Sequence, residues 1–233
     1  MRRLWPVLFG TAVAVELVGV ALDAPALQWA AKPLLAPLLL VRLLAVRRRW
    51  DLVATGLVCA TAGDVALLLP GDTAFLAGMG CFLGTQVCFL TAFLRHRRAP
   101  AAVFAGYLAL WAGANALLWG RLGDLRLPVL GYSLALSLMA AAAAGVSRRA
   151  AAGGALFLAS DLLIGVGAAG AELPGRRLLV MVTYIAALFL LTTAWARRSP
   201  ARSCTFGPRR AQFAFLSGQK LQDRRRLTGP DAD

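Results

Sequence analysis

Five ionisable side chains fall inside long apolar stretches of the sequence: Glu16, Lys32, Arg42, Asp64 and Asp161. Each costs at least about 2.5–3.5 kcal/mol at the centre of a membrane helix, so each needs a structural or functional reason. Arg42 lies close enough to a charged boundary to extend its guanidinium there. Two carboxyl groups in one apolar setting suit acid–base chemistry, because one can hold a proton while the other is ionised. Asp64 and Asp161 are therefore the candidate catalytic residues.

Other polar side chains are expected at the same depth as these aspartates. At about 1.5 Å per helical residue, Asp64 lies roughly 9 Å below the outer end of its helix, and the levels of Asp161, Glu16 and Lys32 are similar. A shared depth predicts one polar pocket. Structural explanations also exist, since Asp64 can bridge helices and Glu16 can pair with Lys32. The remaining candidates at this level are Asn115, Tyr132, Ser160 and Tyr184.

The composition indicates which kind of element must position these residues. The chain is 59% hydrophobic and 15% charged, with a mean hydropathy of +0.68. A soluble domain is about 45–50% apolar and about 25% charged. The net charge of +14 could suggest nucleic-acid binding, but the basic residues form short clusters between apolar runs instead of one solvated face. The sequence therefore predicts an integral membrane protein that does not bind nucleic acid.

Apolar runs of about 20 residues are long enough to cross the bilayer as helices. The prediction is an all-α, polytopic bundle of eight transmembrane helices within residues 1–198, followed by a basic, disordered tail over residues 199–233. The predicted spans are Leu4–Leu22, Leu27–Val46, Leu52–Leu69, Thr73–Leu94, Ala101–Trp119, Leu127–Val146, Ala150–Ala168 and Leu178–Trp195.

Arginines in the connecting segments predict the orientation. Twelve arginines flank the spans on one side of the membrane and four flank them on the other side. Because cytoplasmic segments carry the excess of positive charge, both termini are expected in the cytoplasm. The expected location is the plasma membrane of a bacterium. The first apolar run could also be read as a cleavable signal peptide. Glu16 within that run, and the even number of spans that the charge bias requires, favour a retained first helix.

The two aspartates lie in similar segments 97 residues apart. Pro33 and Pro128 are separated by 95 residues, and Gln86 and Tyr184 by 98. An offset of four helices preserves helix direction, so it predicts two four-helix repeats related by an axis along the membrane normal. Such repeats would bring Asp64 and Asp161 to equivalent positions across a central cavity.

An ordered set of short motifs resembles the YhhN family of eight-span membrane proteins, whose eukaryotic members are lysoplasmalogenases of the TMEM86 type. The resemblance runs from about residue 27 to residue 195 and depends most on K-P, G-D, S-D and T-Y pairs on alternating helices. Those pairs are Lys32-Pro33, Gly63-Asp64, Ser160-Asp161 and Thr183-Tyr184. Gln86 stands where the family commonly has a histidine, and Leu188 where it has a glutamine.

This resemblance implies hydrolysis of the vinyl-ether bond of a lysoplasmalogen, giving a fatty aldehyde and a glycerophospho-base. It implies catalysis by Asp64 and Asp161, with Lys32 as a phosphate contact. Hydrogen-bonding support would come from Asn115, Ser160 and Tyr184, and further support from Glu16, Tyr132 and Gln86. No cofactor or metal is expected. The expected partners are a lysophospholipid substrate and membrane lipid, while the oligomeric state is left open.

Three other functions compete with hydrolysis. Membrane carboxylates and a lysine also suit a proton-coupled secondary transporter of a small or lipid-like solute. Against it, the two aspartate helices lack the Gly or Pro breaks that expose backbone to a solute. An intramembrane aspartyl protease has Thr61 where its motif requires glycine. A purely structural membrane protein explains neither aspartate.

Overall fold

A computed structural model of the protein describes residues 4–121, 123–168, 170 and 173–197. These residues form eight α-helices and no β-strand, so the all-α prediction is confirmed. The predicted tail, residues 199–233, lies outside the described residues. In chain order, the helices are α1 (Trp5–Ala21), α2 (Pro25–Arg47), α3 (Leu52–Ala66), α4 (Asp72–His96), α5 (Ala101–Leu118), α6 (Arg126–Val146), α7 (Arg148–Ala168) and α8 (Arg176–Ala196).

Most of these helices can span a bilayer. Six are long and apolar enough to cross a membrane: α2, α4, α5, α6, α7 and α8. The other two are also apolar but shorter, with 17 residues in α1 and 15 in α3. Because a helix needs about 17–25 residues to cross the hydrocarbon core, the set of helices is that of a multi-pass membrane protein.

Six of the helices pack as a closed ring. Going round it, α2 contacts α3, α3 contacts α4, α4 contacts α6, α6 contacts α7, α7 contacts α8, and α8 returns to α2. Helix α1 packs outside the ring against α2 and α8, while α5 packs outside it against α6. This arrangement leaves the interior of the ring as the place where six different helices can contribute side chains to one site.

The ring has the neighbours that two four-helix repeats would produce. The pairs α3–α4 and α7–α8 correspond to each other after a shift of four helices, as do α2–α3 and α6–α7. The two contacts between halves, α2–α8 and α4–α6, also correspond. Helices α1 and α5, which start the two halves, both lie on the outside.

Helix α3 is shorter than the predicted span Leu52–Leu69, because it ends at Ala66. The following residues form tighter turns, in which the amide of Leu68 donates to Val65 and that of Leu69 donates to Ala66. Beyond them lie Pro70 and then Gly71, whose φ of +103° favours glycine. Asp64 therefore lies in the last turn of α3, nearer its end than the sequence predicts.

The opposite end of α3 is fixed to α8. Asp51 caps α3, since its Oδ1 accepts hydrogen bonds of 3.1 Å from the amides of Val53 and Ala54. Its Oδ2 accepts a 2.8 Å bond from the indole of Trp195, near the end of α8. A capping residue satisfies otherwise unpaired amides at the helix start. These bonds fix the start of the helix that carries Asp64 against α8.

Candidate active site

A pocket opens inside the helix ring and is bordered by both candidate aspartates. All six ring helices contribute to it, and we call it the carboxylate pocket. It brings together six predicted residues: Lys32 of α2, Asp64 of α3, Tyr132 of α6, Ser160 and Asp161 of α7, and Tyr184 of α8. Its other lining side chains are apolar: Leu67, Phe75, Met79, Phe82, Ile164, Val180 and Met181.

Asp64 is buried and held by a tyrosine from the far side of the sequence. Its side chain is 1% exposed, and its Oδ2 accepts a 2.7 Å hydrogen bond from the hydroxyl of Tyr184. Its Oδ1 has no partner among the described residues. One oxygen of this carboxyl group is thus fixed, while the other is free of protein donors within the described part of the chain.

Asp161 has a similar environment, built from different helices. Its Oδ2 accepts a 2.5 Å hydrogen bond from the hydroxyl of Tyr132 and a 3.5 Å contact from the side-chain amide of Gln86. Gln86 is wholly buried, and its carbonyl oxygen has no partner among the described residues. Gln86 therefore presents its amide group to Asp161, which is consistent with a carboxylate acceptor.

The two aspartates are held by equivalent positions in the two halves. Asp64 of α3 bonds to Tyr184 of α8, and Asp161 of α7 bonds to Gln86 of α4. Asp64 and Asp161 are 97 residues apart, and Gln86 and Tyr184 are 98 apart, so one bond maps onto the other when the halves are exchanged. Each aspartate is thus held by a side chain of the opposite half.

Aromatic rings fix the orientation of Tyr184. Phe82 and Phe157 both contact it edge-on, with ring centroids 5.6 and 5.9 Å away. Phe82 can approach α3 closely because residue 63 is glycine, and a Cβ there would lie 2.8 Å from the Phe82 ring. The Gly63-Asp64 pair therefore combines a close helix contact with the carboxyl group beside it.

Lys32 is the cation of the pocket, with two acidic neighbours. It makes no ion pair with any described residue, but its charge attracts the carboxyl groups of both Asp64 and Glu16. Glu16 is wholly buried on α1, and neither of its carboxyl oxygens has a hydrogen-bond partner in the described ranges. Glu16 does not border the pocket, so its influence there passes through Lys32 and Asp64.

Two residues that were expected to support the substrate by hydrogen bonds, Ser160 and Asn115, bond to other parts of the protein instead. The hydroxyl of Ser160 donates a 3.1 Å bond to the carbonyl of Val180, so it joins α7 to α8 although it borders the pocket. Asn115 borders a second cavity instead, and its amide donates to the carbonyl of Trp111 at 2.9 Å and to Ser133 at 3.1 Å. Neither side chain is presented like the two aspartates.

Of the side chains that share one face of α4, the sequence predicted only Gln86 as a site residue. Phe75, Met79, Phe82 and Gln86 recur at helical spacing, and the first three border the carboxylate pocket. Residues spaced three or four apart share one face of a helix, so this spacing could have identified the face directed at the site. The signal was hard to recognise because most of these residues are apolar, like the rest of the helix.

The arrangement is suited to proton transfer. One buried and one partly buried carboxyl group border the same pocket, each bonded to a tyrosine hydroxyl, and the lysine Lys32 borders it as well. Among the described residues, no group of three or more His, Cys, Asp or Glu side chains could hold a metal ion. The chemistry that these side chains can themselves supply is general acid–base catalysis with electrostatic support from a lysine.

Comparisons with known proteins agree with the motif resemblance. The lysoplasmalogenase of Mycobacterium tuberculosis (strain CDC 1551 / Oshkosh) is 36% identical over 166 residues, covering 65% of this chain and 62% of that protein. Lysoplasmalogenase TMEM86B of Sus scrofa is 33% identical over 136 residues, covering 58% and 59%. The human TMEM86B is 32% identical over 150 residues, covering 64% and 65%. The chain thus matches less than two thirds of the length of these relatives.

No solved structure matches the chain. The sequence model of the YhhN family matches residues 27–195, which include α3, α4, α5, α6 and α7 in full and every residue of the carboxylate pocket. The similarity therefore covers most of the chain and the whole of the candidate site. On this evidence, the chain belongs to the YhhN family.

Proposed function

We propose that this protein is a membrane-embedded hydrolase that cleaves the vinyl-ether bond of lysoplasmalogens by acid–base catalysis with Asp64 and Asp161. The observation that carries the proposal is the carboxylate pocket, where the buried Asp64 and the partly buried Asp161, from different helices, border the same space. The names of the relatives supply the reaction class. A proton-coupled transporter gains no support from those names.

The proposed reaction adds one water across the vinyl ether. One aspartic acid donates its proton to the β-carbon of the double bond, which leaves an oxocarbenium ion at the carbon bonded to oxygen. The other aspartate stabilises this cation and accepts a proton from the water that attacks it. The resulting hemiacetal then gives its hydroxyl proton to the first aspartate and breaks its bond to the glycerol oxygen, which takes a proton from the second aspartic acid. A fatty aldehyde is released, and both carboxyl groups return to their starting states. Glycosidases likewise pass through an oxocarbenium-like state between two carboxyl groups.

The other pocket residues have supporting roles in this proposal. Lys32 contacts the anionic phosphate of the substrate, because it is the cation that borders the described pocket. Tyr184 and Tyr132 fix one oxygen of each aspartate, so that the carboxyl groups keep a defined direction. Ser160 and Asn115 act on the site indirectly, through the helix contacts they stabilise. Gln86 supports Asp161, and Glu16 acts on Lys32.

The test is hydrolysis of a defined 1-alkenyl lysophospholipid by the purified full-length chain, measured as released aldehyde. Asp64→Asn and Asp161→Asn keep the side-chain shape and remove the acid, so each is expected to lower kcat by about 10²–10⁴-fold. Asp23→Asn is the matched control, because Asp23 lies in an exposed ion pair with Arg177 and such pairs contribute little.

Two results would overturn the proposal. One is a wild-type protein that releases no aldehyde, and the other is full activity in both aspartate variants. Solute uptake into proteoliposomes that depends on a proton gradient and is lost in the same variants would point to transport.

A further inference from the structure

A second cavity adjoins the carboxylate pocket and differs from it in chemistry. It lies between α4, α5, α6 and α7, and we call it the α5 cavity. Five side chains border both spaces: Phe75, Met79, Tyr132, Asp161 and Ile164. The two spaces are therefore adjacent, and Asp161 and Tyr132 are the polar residues that border both.

The α5 cavity is apolar where the carboxylate pocket is charged. No lysine or arginine borders it within the described residues, and its only acidic side chain is the shared Asp161. Two of its polar groups are already engaged, because Ser133 accepts hydrogen bonds of 3.1 Å from both Trp111 and Asn115. Its remaining wall is mostly leucine, valine and alanine from α5, α6 and α7. Such a wall binds hydrocarbon by excluding water.

We propose that the α5 cavity binds the hydrocarbon chain of an amphipathic lipid whose anionic head lies beside Lys32. The inference deepens the proposed function and rests on it. The order of the parts matches a lysoplasmalogen: a hydrocarbon chain, then the vinyl ether, then the phosphate. Asp161 borders both the α5 cavity and the carboxylate pocket, whereas Lys32 borders only the carboxylate pocket. The reacting bond then falls at the junction of the two spaces.

The position of the α5 cavity agrees with this occupant. Its outer wall is α5, which packs mainly against α6 and has Asn115 as its buried residue. A chain in the bilayer can therefore approach the cavity past one sparsely packed helix.

Gly165 offers a direct way to fill the α5 cavity. It borders the cavity on α7, and a Cβ added there would meet no atom within 4 Å, so a larger side chain enters empty space. In Gly165→Leu, we expect kcat/KM for a long-chain 1-alkenyl substrate to fall by at least about tenfold, with little change for a short-chain one. Ala114→Leu narrows the cavity from α5 and is expected to act in the same direction.

The matched control is Gly106→Leu. Gly106 lies on α5, is exposed, has no atom within 4 Å of an added Cβ, and does not border the α5 cavity. It is expected to leave the chain-length preference unchanged. An equal loss for long and short substrates in both cavity variants, with unaltered preference, would overturn the inference even if the wild type is an active hydrolase.

A binding measurement separates this inference from the proposed reaction. A lysophospholipid with a saturated 1-alkyl ether chain, brominated in its chain, is expected to quench Trp111, which borders the α5 cavity. The quenching should decrease in Trp111→Phe and in Gly165→Leu, but not in Gly106→Leu. This ligand has no vinyl ether, so its binding does not depend on hydrolysis. Quenching that is unchanged in Trp111→Phe would place the chain elsewhere and contradict the inference.

Discussion

Each aspartate of the carboxylate pocket receives a tyrosine hydroxyl, but the two are not equally supported. Asp161 also receives the amide of Gln86, whereas Asp64 has Tyr184 as its only hydrogen-bond donor among the described residues. A hydroxyl that donates to a carboxylate stabilises its charged form and fixes its direction. Loss of the hydroxyl should therefore have a larger effect at Asp64 than at Asp161.

Tyr184→Phe is expected to lower kcat for 1-alkenyl lysophospholipid by roughly tenfold to a hundredfold. A hydrogen bond to a charged group contributes about 1.5–3 kcal/mol, and each 1.4 kcal/mol is tenfold in rate. Tyr132→Phe should cost less, since Gln86 still donates to Asp161. Aldehyde release by the two variants provides the comparison, and a larger loss in Tyr132→Phe would contradict it.

At this scale, the sequence predicted the residue types but not their partners. Asp64, Asp161, Lys32 and Tyr184 could be selected because polar groups are costly in apolar helices. The bond from Tyr184 to Asp64 joins residues 120 positions apart and depends on how α8 packs beside α3. Asn115 was assigned to the polar pocket from its depth in the membrane alone. Depth does not determine the direction in which a side chain points around its helix. Asn115 borders the α5 cavity and not the carboxylate pocket.

Helix α3 shows how an element positions the site. It contacts α4 through glycines, since a Cβ on Gly56 would lie 2.6 Å from the ring of Phe89, and one on Gly63 would lie 2.8 Å from that of Phe82. Thr85 of α4 also donates a 3.0 Å bond to the carbonyl of Gly56. Small residues permit such close approach between membrane helices. The packing of α3 on α4 thus determines where Asp64 lies relative to Tyr184.

Gly63→Ala is expected to destabilise the protein and to lower its activity. The added Cβ displaces Phe82, which packs against both Tyr184 and Phe157, and such overpacking typically costs about 1–3 kcal/mol. Gly80→Ala is the matched control on α4, because Gly80 is exposed and an added Cβ there meets nothing within 4 Å. Melting temperature and aldehyde release of the purified variants measure the effect.

The control variant should be as stable as the wild type or slightly more stable, because alanine favours helix over glycine. If Gly63→Ala melts and reacts like Gly80→Ala, the ring of Phe82 moves freely and the close contact does not position the site.

Hydropathy predicted the helices well because each apolar run is bounded by charged or turn-forming residues. The observed bounds differ from the predicted spans by a few residues, as for α4, found at Asp72–His96 and predicted at Thr73–Leu94. The end of α3 was harder to predict, because Leu67, Leu68 and Leu69 are as apolar as the helix before them. Their turn geometry is governed by Pro70 and Gly71, which hydropathy does not record.

For the whole molecule, the correspondence between the helices of the two halves explains why the site lies at the centre of the ring. Each half contributes one aspartate, and the residue that bonds it from the opposite half lies at an equivalent sequence position. The predicted repeat depends in the sequence on a few matches near a common offset. The ring made by α2, α3, α4, α6, α7 and α8 could not be predicted, because hydropathy locates helices along the chain but not their neighbours.

The two halves of the chain contribute different side chains to the carboxylate pocket and to the α5 cavity. Lys32 borders the carboxylate pocket from α2, and the corresponding region of α6 supplies Tyr132. The α5 cavity lies mainly between helices of the second half, where α5 packs on α6. No cation from the described residues borders this cavity. A site with a cation on one side and an apolar cavity on the other is suited to a molecule whose two ends differ. The proposed lysophospholipid substrate is such a molecule.

The arginine distribution makes a prediction for the whole molecule, that both termini lie in the cytoplasm. The α6–α7 connection, which precedes Arg148 and Arg149 at the start of α7, should then face the cytoplasm, and the α5–α6 connection should face outward. Two single-cysteine variants test this in a background where all four native cysteines are replaced by serine: Ser147→Cys for the inner connection and Gly120→Cys for the outer one. Both positions are exposed. In intact bacterial cells, a membrane-impermeant maleimide is expected to label Gly120→Cys and to label Ser147→Cys only after the cells are permeabilised. The opposite labelling pattern would contradict this topology and place both termini outside the cell.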